Sequence, residues 1–522
     1  MDTKKLRQKL LDLAVRGKLV PQDPNDEPAS ELLKRIHEEK LAMVERGELK
    51  KKDVQNDTVI YFGSDGLPYE KRANGKGEEK CIETEIPFGI PKGWTWTRLN
   101  TISSILNGDR GKNYPAKSKL HDEGIPFVSA ANLNDGLVDL SQMRYLDDMQ
   151  FSLLRAGKLT SGDRLFCIRG SLGKHGVFEY DKGAIASSLA IVRLNLKSDT
   201  HGAYLDCLFD APITRWNIGR FDNGTAQPNL AAKDFASFVY PIPPLAEQRR
   251  IVDALDKYLT LIDGIERNQA ELDALLAQLK SKVLDLAVRG ELAEHDPEDE
   301  PACELLARIH AEKLAMVEHG ELKTKGVKGD TIIFTGSDGL RYEKPADGKG
   351  EAKCIESEIP FEIPEGWSWA RLGALIRLIS GVDMEKAEYN ADRDGIPYIT
   401  GASNFDNGYL VENRWTKTPK RISEKGELLF TCKGTVGEMA VNRFDAAHIA
   451  RQVMSIKPYR GLSLSYLQLA LSWYVSSIRA QAKGFVPGIE RTTLLGVLLP
   501  VPPLAEQQRI DNKIEEVFNL LD

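Results

Sequence analysis

The chain repeats a long segment of its own sequence. Residues 11–100 align with residues 284–373 at a constant offset of 273, without a gap, and 64 of the 90 positions are identical. LDLAVRG at position 11 recurs at position 284, and IPFGIPKGWTWTRL at position 86 recurs as IPFEIPEGWSWARL. A repeat of this length limits the chain to folds built from two equivalent halves.

A second repeated pair frames two variable segments. PIPPLAEQRRI at 241–251 recurs as PVPPLAEQQRI at 500–510, now at an offset of 259. We call the repeated segments the frame, and the segments between them, 100–240 and 373–499, the first and second insert. The inserts resemble each other only faintly, so the chain is predicted to be a scaffold that holds two different reading domains for a two-part target.

Composition is that of a globular protein without a membrane span. At 522 residues the chain is too long for one domain, and 42% of it is hydrophobic and 28% charged. The start, MDTKKLRQKL, lacks the apolar core of a secretory signal, and the uncharged stretch 461–478 has the spacing of an amphipathic helix. The six cysteines form no CxxC pair, which favours a reduced, cytoplasmic protein without structural zinc.

Charge differs between frame and inserts. The whole chain has a net charge of −7. The inserts carry 32 basic and 27 acidic residues, a net charge of +5, whereas the frame carries 38 basic and 50 acidic residues, a net charge of −12. The weakly basic inserts permit DNA binding, and the acidic frame is better suited to protein partners or solvent.

Residues 244–290 are predicted to form one long helix. Pro243 and Pro244 mark its start, Gly290 suits its C-terminal cap, and no proline interrupts it. At 1.5 Å per residue it would be roughly 70 Å long. Apolar residues recur at alternating spacings of four and three, the pattern of a coiled coil. The seam consists of Ile251, Leu255, Tyr258, Ile262, Ile265, Gln269, Leu272, Leu276, Leu279, Val283 and Leu286.

The second copy of this helix is split between the two ends of the chain. Residues 503–522 match the start of the central helix, and residues 1–17 match its end, so that only residues 264–273 have no counterpart. The sequence therefore predicts a circularly permuted tandem repeat, in which the two ends lie close together and pack antiparallel against the central helix. The alternative is two unrelated terminal helices.

Each long helix leads into a spacer. In the first repeat a helix over 28–46 is followed by TVIYFGSDGLPYEK, in which Asp65-Gly66 indicates a hairpin turn. His37 and His310 recur on the spacer helices among lysines and glutamates, a setting that favours solvated side chains over metal ligands.

The inserts share a strand-rich plan. Each follows GWxWxRL directly, and GIPFVSAANLNDG at 124 matches GIPYITGASNFDNG at 395. GDRLFCIRGSLGKHGVF at 162 matches GELLFTCKGTVGEMAVN at 426, which predicts a strand, a tight glycine turn and a second strand. A further apolar strand and one or two late helices complete an α+β domain.

These features together resemble the specificity subunit of a Type I restriction–modification system. The resemblance lies in the PIPPLAEQRRI segment with its long helix, the IPxGWxWxRL entry and the twofold repeat, and covers nearly the whole chain. It implies an α+β fold: two α/β target recognition domains separated by long antiparallel coiled-coil helices in a circularly permuted, pseudo-twofold tandem repeat. Each domain would read one half of a split double-stranded DNA sequence.

The resemblance also implies partners. The helices would bind two methylation subunits, restriction subunits would join that core, and no membrane would be involved. This chain would be non-catalytic and hold no cofactor or metal, since S-adenosylmethionine, ATP and Mg²⁺ would belong to the partner subunits. One departure is GFVPGIERTTL at 484, which lacks the polar GTAQPNL pattern at 224.

The predicted boundaries follow from the repeats and the resemblance. In chain order they are the N-terminal half of the split helix (1–17), spacer 1 (18–85), recognition domain 1 (86–240), the central helix (241–290), spacer 2 (291–358), recognition domain 2 (359–499) and the C-terminal half of the split helix (500–522).

Candidate DNA contacts are basic and amide side chains of the inserts. Arg169 and Lys433 precede the two glycine turns, where a cation can approach a phosphate. Arg451-Gln452 could contact base edges, as Arg does at guanine and Gln at adenine. The alternative for each is a solvated surface residue. The other candidates are Arg110, Lys112, Lys117, Lys119, Gln227, Asn229, Lys417, Lys420 and Arg421.

Motifs for chemistry are missing. The Pro-Pro pairs are followed by leucine instead of the aromatic residue of a DNA methyltransferase, and GxxxxGK[ST] does not occur. Asp347 with Glu351 and Lys353 resembles a nuclease fragment, but Asn74 replaces Asp347 in the other repeat. The alternatives to a DNA-reading subunit are a coiled-coil scaffold that reads no sequence and a self-contained methyltransferase or nuclease.

Overall fold

The chain folds into two compact units, Met1–Gln269 and Ala270–Asp522. The computed structural model describes residues 2–111, 114–134, 136–221, 228–406, 408–480 and 488–521. One helix, Leu245–Arg289, begins in the first unit and ends in the second. Both units combine helices with mainly antiparallel sheets, so the α+β class predicted from the sequence is correct.

The first unit is built in chain order from helices, strands and the start of the long helix. Its helices are α1 (Thr3–Val15), α2 (Ala29–Glu45), α3 (Lys51–Gln55), α4 (Leu99–Ile102), α5 (Asp148–Leu153), α6 (Asp199–Asp210), α7 (Pro212–Gly219), α8 (Ala232–Ala236) and α9 (Leu245–Arg289). Its strands are β1 (Thr58–Phe62), β2 (Pro68–Arg72), β3 (Lys80–Cys81), β4 (Thr95–Arg98), β5 (Ser103–Asn107), β6 (Ile125–Val128), β7 (Leu133–Asn134), β8 (Gly136–Val138), β9 (Arg144–Leu146), β10 (Lys158–Leu159), β11 (Asp163–Cys167), β12 (His175–Phe178), β13 (Gly183–Ile185), β14 (Leu189–Leu194) and β15 (Val239–Ile242).

The second unit contains the end of α9 and the following elements. Its other helices are α10 (Ala302–Glu318), α11 (Leu372–Leu375), α12 (Leu464–Ala480), α13 (Arg491–Leu495) and α14 (Leu504–Leu521). Its strands are β16 (Thr331–Thr335), β17 (Arg341–Pro345), β18 (Lys353–Cys354), β19 (Ser368–Arg371), β20 (Ile376–Ser380), β21 (Ile396–Ile399), β22 (Phe405–Asp406), β23 (Tyr409–Leu410), β24 (Trp415–Thr416), β25 (Ile422–Glu424), β26 (Leu428–Thr431), β27 (Met439–Val441), β28 (Ala446–Ile449), β29 (Val453–Pro458) and β30 (Leu498–Val501).

The long helix has the predicted bounds. It starts at Leu245, directly after two prolines, and Gly290 follows its last residue with a φ of +76°, a left-handed conformation that suits glycine. The predicted seam is only partly buried. Ile251 and Val283, near its ends, are buried, whereas Ile265 and Leu272, in the middle, are 41% and 50% exposed.

A terminal helix runs antiparallel to part of α9 in each unit. In the first unit Arg7 of α1 forms an ion pair with Glu266 at 2.9 Å, and Gln22, further along the chain, bonds to Glu247. In the second unit Phe518 of α14 lies 5.5 Å from the Lys280 ammonium in a cation–π contact. Leu272 and Leu275, between these contacts in the sequence, are 50% and 61% exposed.

Each spacer is a helix packed on a small sheet. The predicted hairpin is present as β1 and β2, paired from Thr58 with Arg72 to Phe62 with Pro68. β3 adds a third strand that the sequence did not indicate, and β16, β17 and β18 repeat this sheet. A buried ion pair between Lys40 and Asp57 joins α2 to the sheet.

Each insert contains two main sheets. In the first insert they have the strand orders β10-β13-β6-β9 and β5-β14-β11-β12-β8-β7. In the second they are β24-β21-β28-β25 and β20-β29-β26-β27, with the pair β22-β23 beside them. The predicted strand–turn–strand units are confirmed as β11–β12 and β26–β27. The predicted amphipathic helix is α12, and among the described residues no helix is long and apolar enough to cross a membrane.

Candidate nucleic-acid interface

Each insert is attached to the frame by a two-stranded antiparallel ribbon. In the first unit β4 pairs with β15, which places Trp96 opposite Pro241. In the second unit β19 pairs with β30, which places Trp369 opposite Pro500. Because the entry and exit strands are hydrogen-bonded neighbours, each insert leaves the frame and returns to it at one place.

A buried glutamate of the exit segment holds the entry segment in place. Trp94 Nε1 donates to Glu247 Oε2 at 2.9 Å, and Trp367 Nε1 donates to Glu506 Oε2 at 3.0 Å. Burial raises the pKa of Glu247, and the hydrogen bond from Trp94 opposes that shift. Trp94 lies one residue before β4, and its indole is directed to this carboxylate.

The second partner of this glutamate differs between the units. Gln22 Nε2 donates to Glu247 Oε1 at 2.8 Å. His295 occupies the corresponding position of the second repeat, and its Nδ1 lies 3.0 Å from Glu506 Oε2. His295 Nε2 also bonds to the carbonyl oxygen of Glu365. Both ring nitrogens face acceptors, which is the pattern of a protonated imidazole.

The late helices of the inserts dock on the ribbons in the same way. The hydroxyl of Tyr204 on α6 donates to the Pro241 carbonyl at 3.1 Å, and that of Tyr466 on α12 donates to the Pro500 carbonyl at 2.8 Å. Both tyrosines are fully buried, and burial raises their pKa well above the usual value, so they remain hydrogen-bond donors. The frame thus presents both inserts on equivalent supports.

The glycine turn of the first insert carries Arg169. The turn connects β11 to β12, and the backbone of Arg169 forms an isolated bridge with Asn229. Arg169 Nε donates to Asn229 Oδ1 at 3.1 Å, which joins a guanidinium to an amide at the surface. Gly173 has a φ of +88°, and an added Cβ would lie 3.3 Å from Ile218 of α7, so the turn is packed against that helix.

The second insert places Lys433 at the same point. Its backbone bridges to Gly488, which takes the place of Asn229. Gly437, with a φ of +93°, packs against Val475 of α12. The loss of the amide confirms the departure noted in the sequence: the first insert offers an arginine–amide pair, and the second an exposed lysine beside glycine.

Three cations meet in a cleft beside Lys433. The cleft has a volume of about 590 Å³, and Arg451 and Arg491 lie in its wall. Arg451 Nε pairs with Asp383 at 2.6 Å, and Arg491 Nη1 donates to the Leu378 carbonyl at 2.7 Å. Burial lowers the pKa of Arg491. Sequence reasoning missed Arg491, although a basic residue directly after the altered loop was a usable signal.

At two corresponding positions the first insert carries serines instead. β14 pairs with β11 as β29 pairs with β26, so Ser187 and Ser188 stand where Arg451 and Gln452 stand in the second insert. Gln452 is exposed, and its amide lies against Gly401, where an added Cβ would be 2.3 Å from the Gln452 Oε1. The two inserts therefore present different polar groups at corresponding places.

The remaining basic candidates are dispersed over the inserts. Arg110, Lys117 and Lys119 are exposed in the first insert, the two lysines on a short 3-10 helix. Lys112 and Gln227 lie outside the described residues.

In the second insert two of the basic candidates have carboxylate partners. Lys417 pairs with Asp394 and Lys420 with Glu388, each at 2.6 Å. Arg421 is exposed, and its guanidinium forms no ion pair with a described residue. Lys417, Lys420 and Arg421 lie between β24 and β25 of one sheet, whereas Lys433 follows β26 of the other.

No candidate metal centre occurs among the described residues. The spacer histidines serve as hydrogen-bond partners: His37 Nδ1 lies 2.9 Å from Asp57 Oδ2, and His310 Nδ1 lies 3.2 Å from Asp330 Oδ2. Asp347, the acid of the nuclease-like fragment, accepts a hydrogen bond from the Lys349 backbone within its own turn.

Comparison with known proteins places the chain in a family. Two similar proteins of Escherichia coli are the Type I restriction enzyme EcoEI specificity subunit, 26% identical, and the EcoAI specificity subunit, 27% identical; each alignment covers 99% of this chain and 89% of the relative. A solved chain from work on assembly and conformational transition of the type I R-M system shares the fold. Its TM-score is 0.54 at 19% identity, over 83% of this chain and 92% of that chain.

The match to a family model covers both inserts and the exit segments that hold them. The model is described as "Type I restriction modification DNA specificity domain", and it matches residues 91–274 and 364–522. Each range contains one ribbon, one glycine turn and one glutamate–tryptophan contact. Since the matched ranges make up more than half of its length, the chain belongs to the family of Type I restriction–modification DNA specificity proteins.

Proposed function

We propose that this chain is the subunit that gives a Type I restriction–modification complex its DNA sequence specificity, with each insert reading one half of a two-part target. The observation that carries the proposal is that the two units share the contacts that hold their inserts but differ in the polar groups that the inserts expose. The ribbons, the glutamate–tryptophan contacts and the tyrosine contacts are equivalent in both units. The groups at the glycine turns differ.

The differing groups suit two different half-sites. Arg169 with Asn229 combines a cation and an amide, a set that can contact a phosphate and a base edge. Lys433, Arg451 and Arg491 concentrate positive charge at one cleft and suit phosphates or a guanine edge. The candidates Arg110, Lys117, Lys119, Lys417, Lys420 and Arg421 belong to the same proposal as peripheral contacts.

Catalysis is assigned to partner subunits. In this proposal two methylation subunits bind the frame, restriction subunits join them, and S-adenosylmethionine, ATP and Mg²⁺ are bound by those partners. The acidic, repeated frame supports protein docking in two copies. So do Leu272 and Leu275 of α9 in the second unit, which are 50% and 61% exposed. The complex would act on DNA in the cytoplasm.

The proposal includes a pseudo-twofold architecture. The two recognition domains would be separated by antiparallel coiled-coil helices, and α14 and α1 would together form the second long helix of a circularly permuted repeat. The antiparallel contacts of α1 and of α14 with α9, each inside one unit, support this arrangement. A circular permutant that joins residues 522 and 1 by a short linker and opens in a spacer turn should retain target recognition. A permutant that folds but has lost recognition would contradict the arrangement.

Mapping of methylated adenines tests the function directly. A cell that carries the chain with its methylation subunits is expected to show one two-part motif, and a cell that lacks this chain should show none. The purified chain alone, incubated with S-adenosylmethionine and DNA, is expected to transfer no methyl group. Transfer by the isolated chain, or a motif that persists without it, would exclude the proposal.

A further inference from the structure

The turn between β28 and β29 carries Arg451 and Gln452 on a backbone that both main sheets of the second insert hold in place. The backbone N–H of Ala450 donates to the carbonyl oxygen of Ile399 in β21 at 2.9 Å. The N–H of Cys432, directly after β26, donates to the carbonyl oxygen of Gln452 at 2.8 Å. Because β21 and β26 belong to different sheets, the turn is tied on both sides and its backbone position is fixed.

The first insert has the same turn between β13 and β14, with serines in place of these two side chains. The N–H of Ala186 donates to the carbonyl oxygen of Val128 at 2.8 Å, and the N–H of Ile168 donates to that of Ser188 at 2.9 Å. These two bonds correspond to the two of the second insert. Ser187 and Ser188 therefore stand on an equivalent support, and only the side chains differ.

In the second insert Asp383 contacts Arg451 at two atoms. Asp383 Oδ1 accepts a hydrogen bond from the Arg451 backbone N–H at 3.1 Å, and its Oδ2 lies 2.6 Å from Arg451 Nε. One carboxylate thus contacts both the backbone and the guanidinium of one residue, which restricts how this side chain can leave the turn. The Arg451 side chain is nevertheless 65% exposed, so much of its guanidinium stays accessible to a ligand.

The loop that carries Asp383 is itself fixed against the turn. Gly381 approaches the turn closely, since an added Cβ would lie 2.1 Å from the Ala450 carbonyl oxygen. The Val382 carbonyl oxygen lies 3.0 Å from Nε2 of the buried His448. Both contacts precede Asp383 directly, so its carboxylate is presented to the turn from a rigid support.

The acid in the corresponding loop of the first insert has different partners. Gly108 lies close to its turn as Gly381 does, with an added Cβ 3.1 Å from the Ala186 carbonyl oxygen. Asp109 follows, and its Oδ1 accepts from the Gly111 N–H at 2.8 Å and its Oδ2 from the Arg155 N–H at 3.0 Å. The carboxylate that contacts the turn is thus found in the insert that carries the arginine.

A held arginine suits a base edge. Arginine binds the O6 and N7 acceptors of guanine through two N–H groups of its fork, whereas serine can contact several bases. An exposed ion pair contributes little to stability, so orientation is the main consequence of the contact with Asp383. A guanidinium that is already oriented loses less side-chain entropy on binding. Lys433 lines the same cleft and supplies a cation for a neighbouring phosphate.

We propose that Arg451, positioned by Asp383, reads the major-groove edge of a guanine in the second half-site, and that Ser187 stands at the corresponding reading position for the first half-site. This inference rests on the proposed function, in which each insert reads one half of the target. It assigns Arg451 to a base instead of a phosphate and adds Asp383 as a positioning residue.

Replacement of Arg451 by the residue of the first insert tests its role. The full chain carrying Arg451→Ser would be combined with its methylation subunits, and methylated adenines would be mapped in cells. We expect one guanine of the second half-site to become degenerate, with its preference over other bases reduced about tenfold or more. The first half-site should stay unchanged. A motif identical to that of the wild type at every position would overturn the inference.

A base analogue tests the same contact in the unaltered complex. 7-Deazaguanine lacks the N7 acceptor but keeps Watson–Crick pairing. Placed at each guanine of the second half-site in turn, it should weaken binding of the wild-type complex about tenfold at one position. The Arg451→Ser complex should bind that duplex and the natural duplex equally. Insensitivity of the wild type at every guanine, or sensitivity that persists in Arg451→Ser, would contradict the assignment.

Asp383→Asn separates positioning from support of the fold. The variant keeps an oxygen that can accept from the Arg451 backbone N–H but loses the charge that holds the guanidinium. The preference for guanine at the position that Arg451 reads should fall about threefold or more. Affinity for DNA without the motif should stay the same or increase, since a negative charge is removed. Equal loss of affinity for every sequence would exclude a positioning role.

Glu424→Gln is the matched control for this loss of charge. Glu424 is exposed and pairs with Lys457 at 2.6 Å in the same insert, so the substitution removes one negative charge from a different ion pair. Its effect on binding to DNA without the motif should resemble that of Asp383→Asn, and its preference for guanine should remain that of the wild type. A reduced preference in Glu424→Gln would show that net charge, and not the orientation of Arg451, sets the preference.

The outcomes separate this inference from the proposed function. A complex that yields no two-part motif overturns the proposed function, and the inference with it. A two-part motif whose second half contains no guanine, or whose guanines do not depend on Arg451, overturns the inference alone.

Discussion

His295 gives the second unit a pH-dependent contact that the first unit lacks. Burial lowers the pKa of His295, but the hydrogen bond and charge of Glu506 outweigh it, so the pKa is raised above its usual value. The folded state therefore holds a proton more tightly than the unfolded state. The stabilisation is complete below about pH 6.5, the usual histidine value, and is lost as pH rises through the raised pKa.

Exchange of the two side chains tests this contact. His295→Gln installs the residue found at position 22 of the first repeat and should remove the decrease in Tm of the second unit between pH 6 and 8.5. Gln22→His should introduce such a decrease in the first unit. Thermal unfolding followed across this pH range gives the result, and identical pH profiles for all three proteins would show that His295 remains uncharged.

Arg169 and Lys433 are expected to contribute to DNA affinity through phosphate contact. Arg169→Ala or Lys433→Ala should weaken binding, and each should reduce the slope of log K against log salt concentration by about 0.9, as expected for one phosphate contact. Lys457→Ala is a matched control, since Lys457 already pairs with Glu424 at 2.6 Å. An unchanged slope in fluorescence-anisotropy titrations between 50 and 200 mM salt would make these residues ordinary surface cations.

Single residues are predictable from sequence only where local geometry determines their role. The equivalence of Arg169 and Lys433 followed from the glycine turns beside them. Arg491 is 58 residues from Lys433 in the chain, and only the fold brings both to one cleft. Likewise, the hydrogen bond from Trp94 to Glu247 joins residues 153 positions apart, and no local pattern encodes it.

At the scale of elements, the end of the long helix depends on glycine. Gly290 has a φ of +76°, and an added Cβ would lie 2.5 Å from Pro364 Cγ. Gly320, which follows α10, has a φ of +75° and no atom within 4 Å of such a Cβ. Gly320→Ala should lower the free energy of unfolding by about 1–2 kcal/mol, the cost of placing alanine in the left-handed conformation. Gly290→Ala should lower the free energy of unfolding further, because its Cβ would also overlap Pro364.

Urea unfolding of both variants measures the difference in the free energy of unfolding. Equal losses would show that the contact with Pro364 relaxes without cost. In the first repeat the corresponding change, Gly17→Ala, should resemble Gly290→Ala, since its added Cβ would lie 2.4 Å from Pro91 Cγ.

Helices and strands were predictable from the sequence where the apolar pattern was long or where proline or glycine marked its ends. Prolines at its start and a glycine at its end defined α9, and Asp65-Gly66 defined the β1–β2 hairpin. β3 and β18 are two residues long, too short for any periodicity, and form only because a neighbouring strand offers its edge. The 4-3 spacing predicted the seam of α9 but not its burial, which ranges from 0% exposure at Ile251 to 50% at Leu272.

At the scale of the molecule, the equivalent supports make the inserts exchangeable. Replacing residues 100–240 with the insert of another family member should change one half of the methylated motif and preserve the other. The reason is that the ribbon, the contact of Trp94 with Glu247 and the contact of Tyr204 with the Pro241 carbonyl all have equivalents in the second unit. Adenine-methylation mapping of the hybrid complex would reveal the motif, and a change in both halves would disprove independent reading.

The pairing of β4 with β15 also affects how the gene can exchange coding sequence with other genes. Since both strands lie side by side, the length of the insert between them does not affect how the chain leaves and rejoins the frame. A stretch of foreign coding sequence that begins within the codons of β4 and ends within those of β15 would replace the whole first insert and still return to the same paired strands. A single gene-conversion event with those endpoints would give the lineage a new DNA preference, while its partner subunits would need no compensating mutation.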